Sequence, residues 1–137
     1  MPTLEHLMVD KDKMSKGVLK EFTPFLGVTV KLLIGSSNSP EYLKESAQLI
    51  RDRLTEIRND GTGKVERETL LSAIAKHLLL GWENIDDEKG QPIPYSYETA
   101  LKILSTPELY HLCDYVRVQA EIISNFRKKP FEDSRKN

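Results

Sequence analysis

Cysteine and histidine are scarce in this sequence, and their scarcity excludes several classes of protein. The single cysteine, Cys113, cannot form an intrachain disulfide, and nothing indicates an oxidising compartment. The histidines are His6, His77 and His111, and no two of them have the i, i+4 spacing that presents two imidazoles to one zinc ion. We therefore expect no metal site and no other cofactor.

The sequence also lacks long apolar runs and an excess of basic residues. Apolar runs such as 78–80 are far shorter than the ~20 residues of a membrane-spanning helix. Residues 1–13 lack the apolar block of a signal peptide. The formal net charge of −1 argues against a global electrostatic hold on nucleic acid. We expect a cytoplasmic protein that binds neither membranes nor nucleic acid.

What the sequence does contain is enough apolar residues for one folded domain. It has 137 residues, of which 39% are hydrophobic and 30% are charged, and a chain of this length builds one core rather than two. The distribution of polar residues predicts three parts: a flexible lead-in over 1–16, a single helical domain over 17–127, and a disordered charged tail over 128–137.

Helix signals recur along the domain. Ser39 stands as an N-cap before Pro40, and an apolar stripe with alternating spacings of four and three follows, which predicts a helix over 40–58. The stripe consists of Leu43, Ala47, Ile50, Leu54 and Ile57. Three further helices are predicted: one over 65–80 that stops at Gly81, a short one capped by Ser96, and one opened by Thr106-Pro107-Glu108.

A strand signal precedes these helices. Apolar and polar residues alternate over 28–34, which is typical of a strand with one buried face. Residues 17–22 can supply a partner strand across a turn at 23–27. The predicted fold class is therefore mainly α: a compact four-helix domain with a small N-terminal β-strand or β-hairpin.

One segment resembles a calcium-binding loop without meeting its chemical requirements. In 59–65, aligning Gly63 with the turn glycine of such a loop puts Arg58 at the first ligand position and Thr69 at the bidentate acidic position. A cation cannot replace an oxygen ligand, and a threonine cannot clamp with two carboxylate oxygens. We interpret 59–65 as an ordinary turn between helices.

Sequence motifs that would indicate a catalytic site are also weak or absent. A nucleophilic pair of Cys113 and His77 would depend on the fold, but a cysteine beside an apolar stripe is more often a small buried hydrophobic residue. The sequence carries neither a phosphate-cradling glycine loop nor a nucleophile elbow. We predict that the protein is not an enzyme and has no catalytic residues.

Two groups of residues are candidates for binding a partner, and each has a structural alternative. Trp82 either fills a gap between helices or forms an aromatic contact patch with Tyr95 and Tyr97. The helix stripe, represented by Leu43, Ile50 and Leu54, either belongs to the core of the domain, as such stripes more often do, or holds another polypeptide. A third region, the basic residues near the C-terminus, is more typical of a solvated terminus than of a phosphate-binding site.

The segment around Trp82 resembles a known family. The resembling features are a helix that ends in Gly81-Trp82, an acidic turn to Gly90, Pro94-Tyr95-Ser96 with Glu98 and Ala100, a closing helix to Phe126, and the upstream segments 26–30 and 39–42. Together they cover roughly 17–127 and are similar to the tail assembly chaperones of long-tailed bacteriophages.

This resemblance implies a function in the cytoplasm of the host cell. The family's chaperones bind the long, helical tape measure protein, keep it soluble, help to recruit tail tube subunits, and are absent from the finished virion. Contact with the tube protein is made mainly by a longer form produced by ribosomal frameshifting, and Lys128-Lys129 could mark the slippage point. The resemblance also allows self-association along the tape measure. The alternative is a generic helical adaptor or regulatory module that binds other proteins.

Overall fold

The computed structural model describes residues 3–128, which form seven α-helices and three β-strands. The helices are α1 (Leu4–Leu7), α2 (Lys11–Lys16), α3 (Pro40–Asp52), α4 (Leu54–Asn59), α5 (Lys64–His77), α6 (Tyr97–Ser105) and α7 (Tyr110–Glu121). The strands are β1 (Val18–Phe25), β2 (Val28–Ile34) and β3 (Leu79–Glu83). Short 3₁₀ turns, Pro107–Leu109 and Ile123–Phe126, flank α7.

The three strands form one antiparallel sheet in the order β1-β2-β3. The predicted hairpin is present, but its turn is shorter than the predicted 23–27 because β1 continues to Phe25. The two strands are joined at residues 26–27, where Gly27 has a φ of +84° that favours glycine. Leu32 of β2 lies opposite Trp82 of β3. In the hairpin, β1 is an edge strand and β2 is the central strand of the sheet. The segment at 79–83, β3, forms the other edge.

The expectation of a mainly α, four-helix domain with a minor N-terminal strand or hairpin is wrong, because the fold is α+β. The second predicted helix ends at His77, Leu78 caps it, and Leu79 and Leu80 enter β3. Gly81 lies inside this strand and is not a helix stop. Leucine favours helices intrinsically, but pairing with β2 buries Leu79 completely, and tertiary contacts of this kind outweigh local propensity.

The core lies between one face of the sheet and the helices. Leu32 and Ile34 of β2 are fully buried there, together with Ile74 of α5 and Val116 of α7. Each such side chain contributes roughly 1.5–3 kcal/mol of burial free energy. The opposite face of the sheet is open, as is common in antiparallel sheets, and Leu19 of β1 is 56% exposed there.

The helix predicted over 40–58 is present with one interruption. Its start is as predicted, since the Ser39 hydroxyl accepts a hydrogen bond from the Tyr42 backbone N–H at 3.3 Å and Pro40 occupies the first turn. At Arg53 the backbone leaves helical geometry (φ −122°, ψ 22°), which separates α3 from α4. The Arg53 guanidinium donates to the Thr69 hydroxyl at 3.2 Å, and this contact ties the interruption to α5.

The N-terminal segment, expected to be a flexible lead-in, carries α1 and α2 and contacts the C-terminal part of the domain. The Asp10 N–H donates to the Phe126 carbonyl at 2.7 Å, and the Lys128 N–H donates to the Met8 carbonyl at 2.9 Å. Phe126 itself is buried. Of the predicted tail over 128–137, all but Lys128 lies outside the described residues.

Candidate functional site

The apolar stripe on α3 and α4 does not form the buried face of these helices. Leu43 is 50% exposed and Leu54 is 36% exposed, while Ile50 is half-buried. The one buried residue of α3 is Ser46, whose hydroxyl donates to the Leu43 carbonyl at 3.3 Å. The stripe therefore lies beside the packed face of α3 and leaves leucine side chains in contact with solvent.

Trp82 and Tyr95 are brought together, and their polar groups bind the fold itself. The rings meet edge to face with centroids 4.9 Å apart. The indole N–H of Trp82 donates to the Ile93 carbonyl at 2.7 Å, and the Tyr95 hydroxyl donates to the Leu79 carbonyl at 2.6 Å. Burial raises the pKa of Tyr95. The pair therefore fastens the connection before α6 to β3. Trp82 lies in a strand, and not beyond the end of a helix as expected.

Tyr97, the third aromatic residue of the predicted patch, lies at a different place. It is 38% exposed at the start of α6, where it lines a groove together with Glu45, Leu49, Ser72 and Lys76. The groove runs between α3, α5 and α6, and the Glu45 carboxylate pairs with the Lys76 ammonium across it at 3.1 Å. The predicted aromatic patch is thus divided between two sites, and sequence analysis missed this groove because helix packing creates it.

The geometry around Cys113 and His77 does not resemble a nucleophile with its base. Cys113 is only 6% exposed, and burial raises the pKa of its thiol, which makes the reactive thiolate scarce. His77 faces Glu45 instead, with Nε2 3.5 Å from Oε2. Within residues 3–128, no group of three or more histidine, cysteine, aspartate or glutamate side chains is gathered to hold a metal ion.

In the segment that resembles a calcium-binding loop, the Asp60 carboxylate accepts hydrogen bonds from the residues of its own turn. Asp60 accepts hydrogen bonds from the Val65 N–H at 2.9 Å, from the Thr62 N–H at 3.2 Å and from the Thr62 hydroxyl at 2.7 Å. These donors lower the pKa of Asp60 to about 2. The turn therefore presents the carboxylate to the first turn of α5, where negative charge is stabilising.

The described residues thus form a small α+β domain with an exposed apolar stripe on one pair of helices. No helix in the described part of the chain is long and apolar enough to cross a membrane.

The model of the YdaY prophage protein family matches residues 37–137. This match spans well over half of the chain, so the protein belongs to that family. It is phage-derived, which confirms the viral part of the resemblance noted in the sequence, whereas the finer assignment to tail assembly chaperones does not follow from the match. Comparisons with curated proteins and with solved structures produced no match.

Proposed function

We propose that this prophage protein is a tail assembly chaperone that binds the tape measure protein and keeps it soluble. The observation that carries the proposal is the exposed stripe on α3 and α4, in a chain that belongs to a prophage family. A helical tape measure exposes apolar stripes until the tail tube encloses it, and such surfaces drive aggregation. A second apolar stripe can cover them by helix-to-helix contact.

The size of the stripe fits reversible binding. Complete burial of a leucine contributes roughly 1.5–3 kcal/mol, and because Leu43 and Leu54 are already partly covered, each adds about 1 kcal/mol on docking. Such a contact is weak for one copy, and a chaperone must dissociate when the tube assembles. Many copies along one tape measure would together cover its length, and a net charge of −1 limits repulsion between them.

The proposal extends to the other partners and to the place of action. The protein would help to recruit tail tube subunits, mainly through a longer form made by frameshifting near Lys128-Lys129, and would be absent from the mature virion. Copies bound side by side would associate along the tape measure. The protein would act in the host cell cytoplasm, without an enzymatic step and without binding a membrane or nucleic acid.

Co-expression with the tape measure protein from the same prophage tests the proposal. We expect the tape measure to stay soluble with the intact protein and to precipitate with a Leu43→Glu/Leu54→Glu variant. Leu19→Glu is the matched control, because Leu19 is similarly exposed but lies on the sheet. A tape measure that precipitates equally with and without the intact protein would refute the chaperone function.

A further inference from the structure

Three basic residues run beside the exposed stripe at intervals of seven. They are Lys44 and Arg51 on α3 and Arg58 on α4, and all three are exposed. On α3, with 100° between residues, Lys44 and Arg51 lie about 80–90° from the centre of the stripe. Arg58 follows on α4, after the break at Arg53. The exposed apolar surface is therefore bordered by a line of positive charge on its solvent side.

The fold does not neutralise this line. Among residues 3–128, no carboxylate oxygen lies within 4.0 Å of the charged nitrogen atoms of Lys44, Arg51 or Arg58. Arg51 donates only to the neutral side chain of Gln48, at 2.7 Å. By contrast, Arg53 on the packed side of the same segment pairs with Glu56. The bordering cations are therefore available to an external partner.

The opposite border of the stripe has no such bias. On that side, Arg53 is paired with Glu56, so its positive charge is offset within the fold. A partner that binds along the stripe thus meets unpaired positive charge on one flank only. The complementary negative charge of the partner is therefore expected on the side that faces this flank.

We infer that the α3–α4 surface docks an amphipathic helix that carries acidic residues at heptad spacing along one flank of its apolar stripe. The inference rests on the proposed function, in which that helix is a segment of the tape measure. Apolar contact supplies the attraction, and the facing charges select the partner and its orientation, as flanking charges do between coiled-coil helices.

A helix fits this surface better than an anionic membrane does. The stripe is a narrow seam of three- and four-residue spacings, whereas a helix that lies in a bilayer surface buries a wide apolar face with cations on its polar side. Beyond the basic line, Glu41 and Asp52 are exposed, and they would repel anionic lipids. The narrow seam and the alternating charge favour a protein helix.

Two synthetic helical peptides of equal length test the inference directly. They share one leucine and alanine stripe, and they differ in having glutamate or lysine along one flank. We expect the intact protein to bind the glutamate peptide about tenfold more tightly at low salt, since several exposed ion pairs each contribute a few-fold. The preference should shrink as salt is added.

A second test reverses the charge of the three basic residues in the protein. The variant Lys44→Glu/Arg51→Glu/Arg58→Glu should prefer the lysine peptide, whereas Lys16→Glu/Lys89→Glu/Lys102→Glu, which changes the net charge equally at other exposed positions, should keep the original preference. Circular dichroism would verify that both variants fold, and the two-peptide comparison on the intact protein needs no variant.

The inference is overturned if the intact protein binds both peptides equally, prefers lysine, or binds phosphatidylglycerol vesicles and neither peptide. It is also overturned if the control variant switches preference as the first variant does. The proposed function is judged separately. If the charge-reversed variant still keeps the tape measure soluble as well as the intact protein does, the charge-guided docking fails while the chaperone function stands.

Discussion

Gly35 packs against the carbonyl oxygen of His77 so closely that a β-carbon on Gly35 would overlap it. Gly35 follows β2, and its N–H donates to the Leu78 carbonyl at 2.9 Å, between the end of α5 and the start of β3. This contact fastens the hairpin to the turn by which the chain passes from helix into the third strand. Its closeness requires a residue without a side chain.

Replacing Gly35 with alanine should therefore destabilise the domain. Overpacking a buried site costs about 1–3 kcal/mol, and here the obstacle is backbone, which cannot rotate away. Urea unfolding would measure the loss. Gly61→Ala is the control, because a β-carbon at Gly61 meets nothing within 4 Å. Equal stability of the two variants would contradict the close contact.

The Asp60 carboxylate makes the stability of the domain depend on pH. Its pKa falls from the usual 3.8 to about 2 in the folded protein, so its contribution is complete above pH ~4 and is lost as the pH falls towards 2. Asp60→Ala should lower stability at neutral pH, and the difference from the intact protein should shrink over that acid range.

Thermal unfolding at a series of pH values would measure this effect. Glu88→Ala is a suitable control, because Glu88 is an exposed carboxylate on the loop before α6. Its replacement should leave the stability difference from the intact protein small at every pH. If Asp60→Ala showed no larger effect than Glu88→Ala at neutral pH, the capping role would be rejected.

Local signals in the sequence predicted the starts of α3 and α6, whereas Thr106-Pro107-Glu108 opens a 3₁₀ turn and α7 begins only at Tyr110. Ser39 and Ser96 both act as N-caps, and the Ser96 hydroxyl accepts from the Thr99 N–H at 3.1 Å. Such caps depend on a few consecutive residues, so they can be predicted from the sequence without knowledge of the fold. The hairpin at 18–34 was predictable for the same reason, since alternation and a turn glycine lie close together in the chain.

The third strand and the binding surface could not be predicted in this way. Leu79 and Trp82 become part of a strand only because β2 supplies the hydrogen-bonding partner from almost fifty residues upstream. The exposure of Leu43 is likewise a tertiary result, because α5 packs on a face of α3 centred near Ser46. The periodicity showed that the stripe exists, but only the packing decides which residues meet solvent.

The hydrogen bond from Tyr95 to Leu79 should contribute measurably to stability. Removing the hydroxyl in Tyr95→Phe leaves a carbonyl at the helix–strand junction with one donor fewer, at a cost of about 0.5–1.5 kcal/mol. The fluorescence of Trp82, the only tryptophan, would follow unfolding and also report the loosened ring contact. Tyr97→Phe is the matched control, and an equal effect of the two changes would argue against the anchoring role.

The exposed stripe should matter little for folding. Leu43→Ala and Leu54→Ala remove side chains that are partly in contact with water, so each should cost at most about 1–2 kcal/mol in urea unfolding. Leu32→Ala, which truncates a fully buried side chain of β2, should cost about 2–5 kcal/mol. If the two stripe variants were as destabilised as Leu32→Ala, the leucines would be serving the core, and loss of tape measure solubility in the stripe variants would reflect unfolding rather than a lost contact.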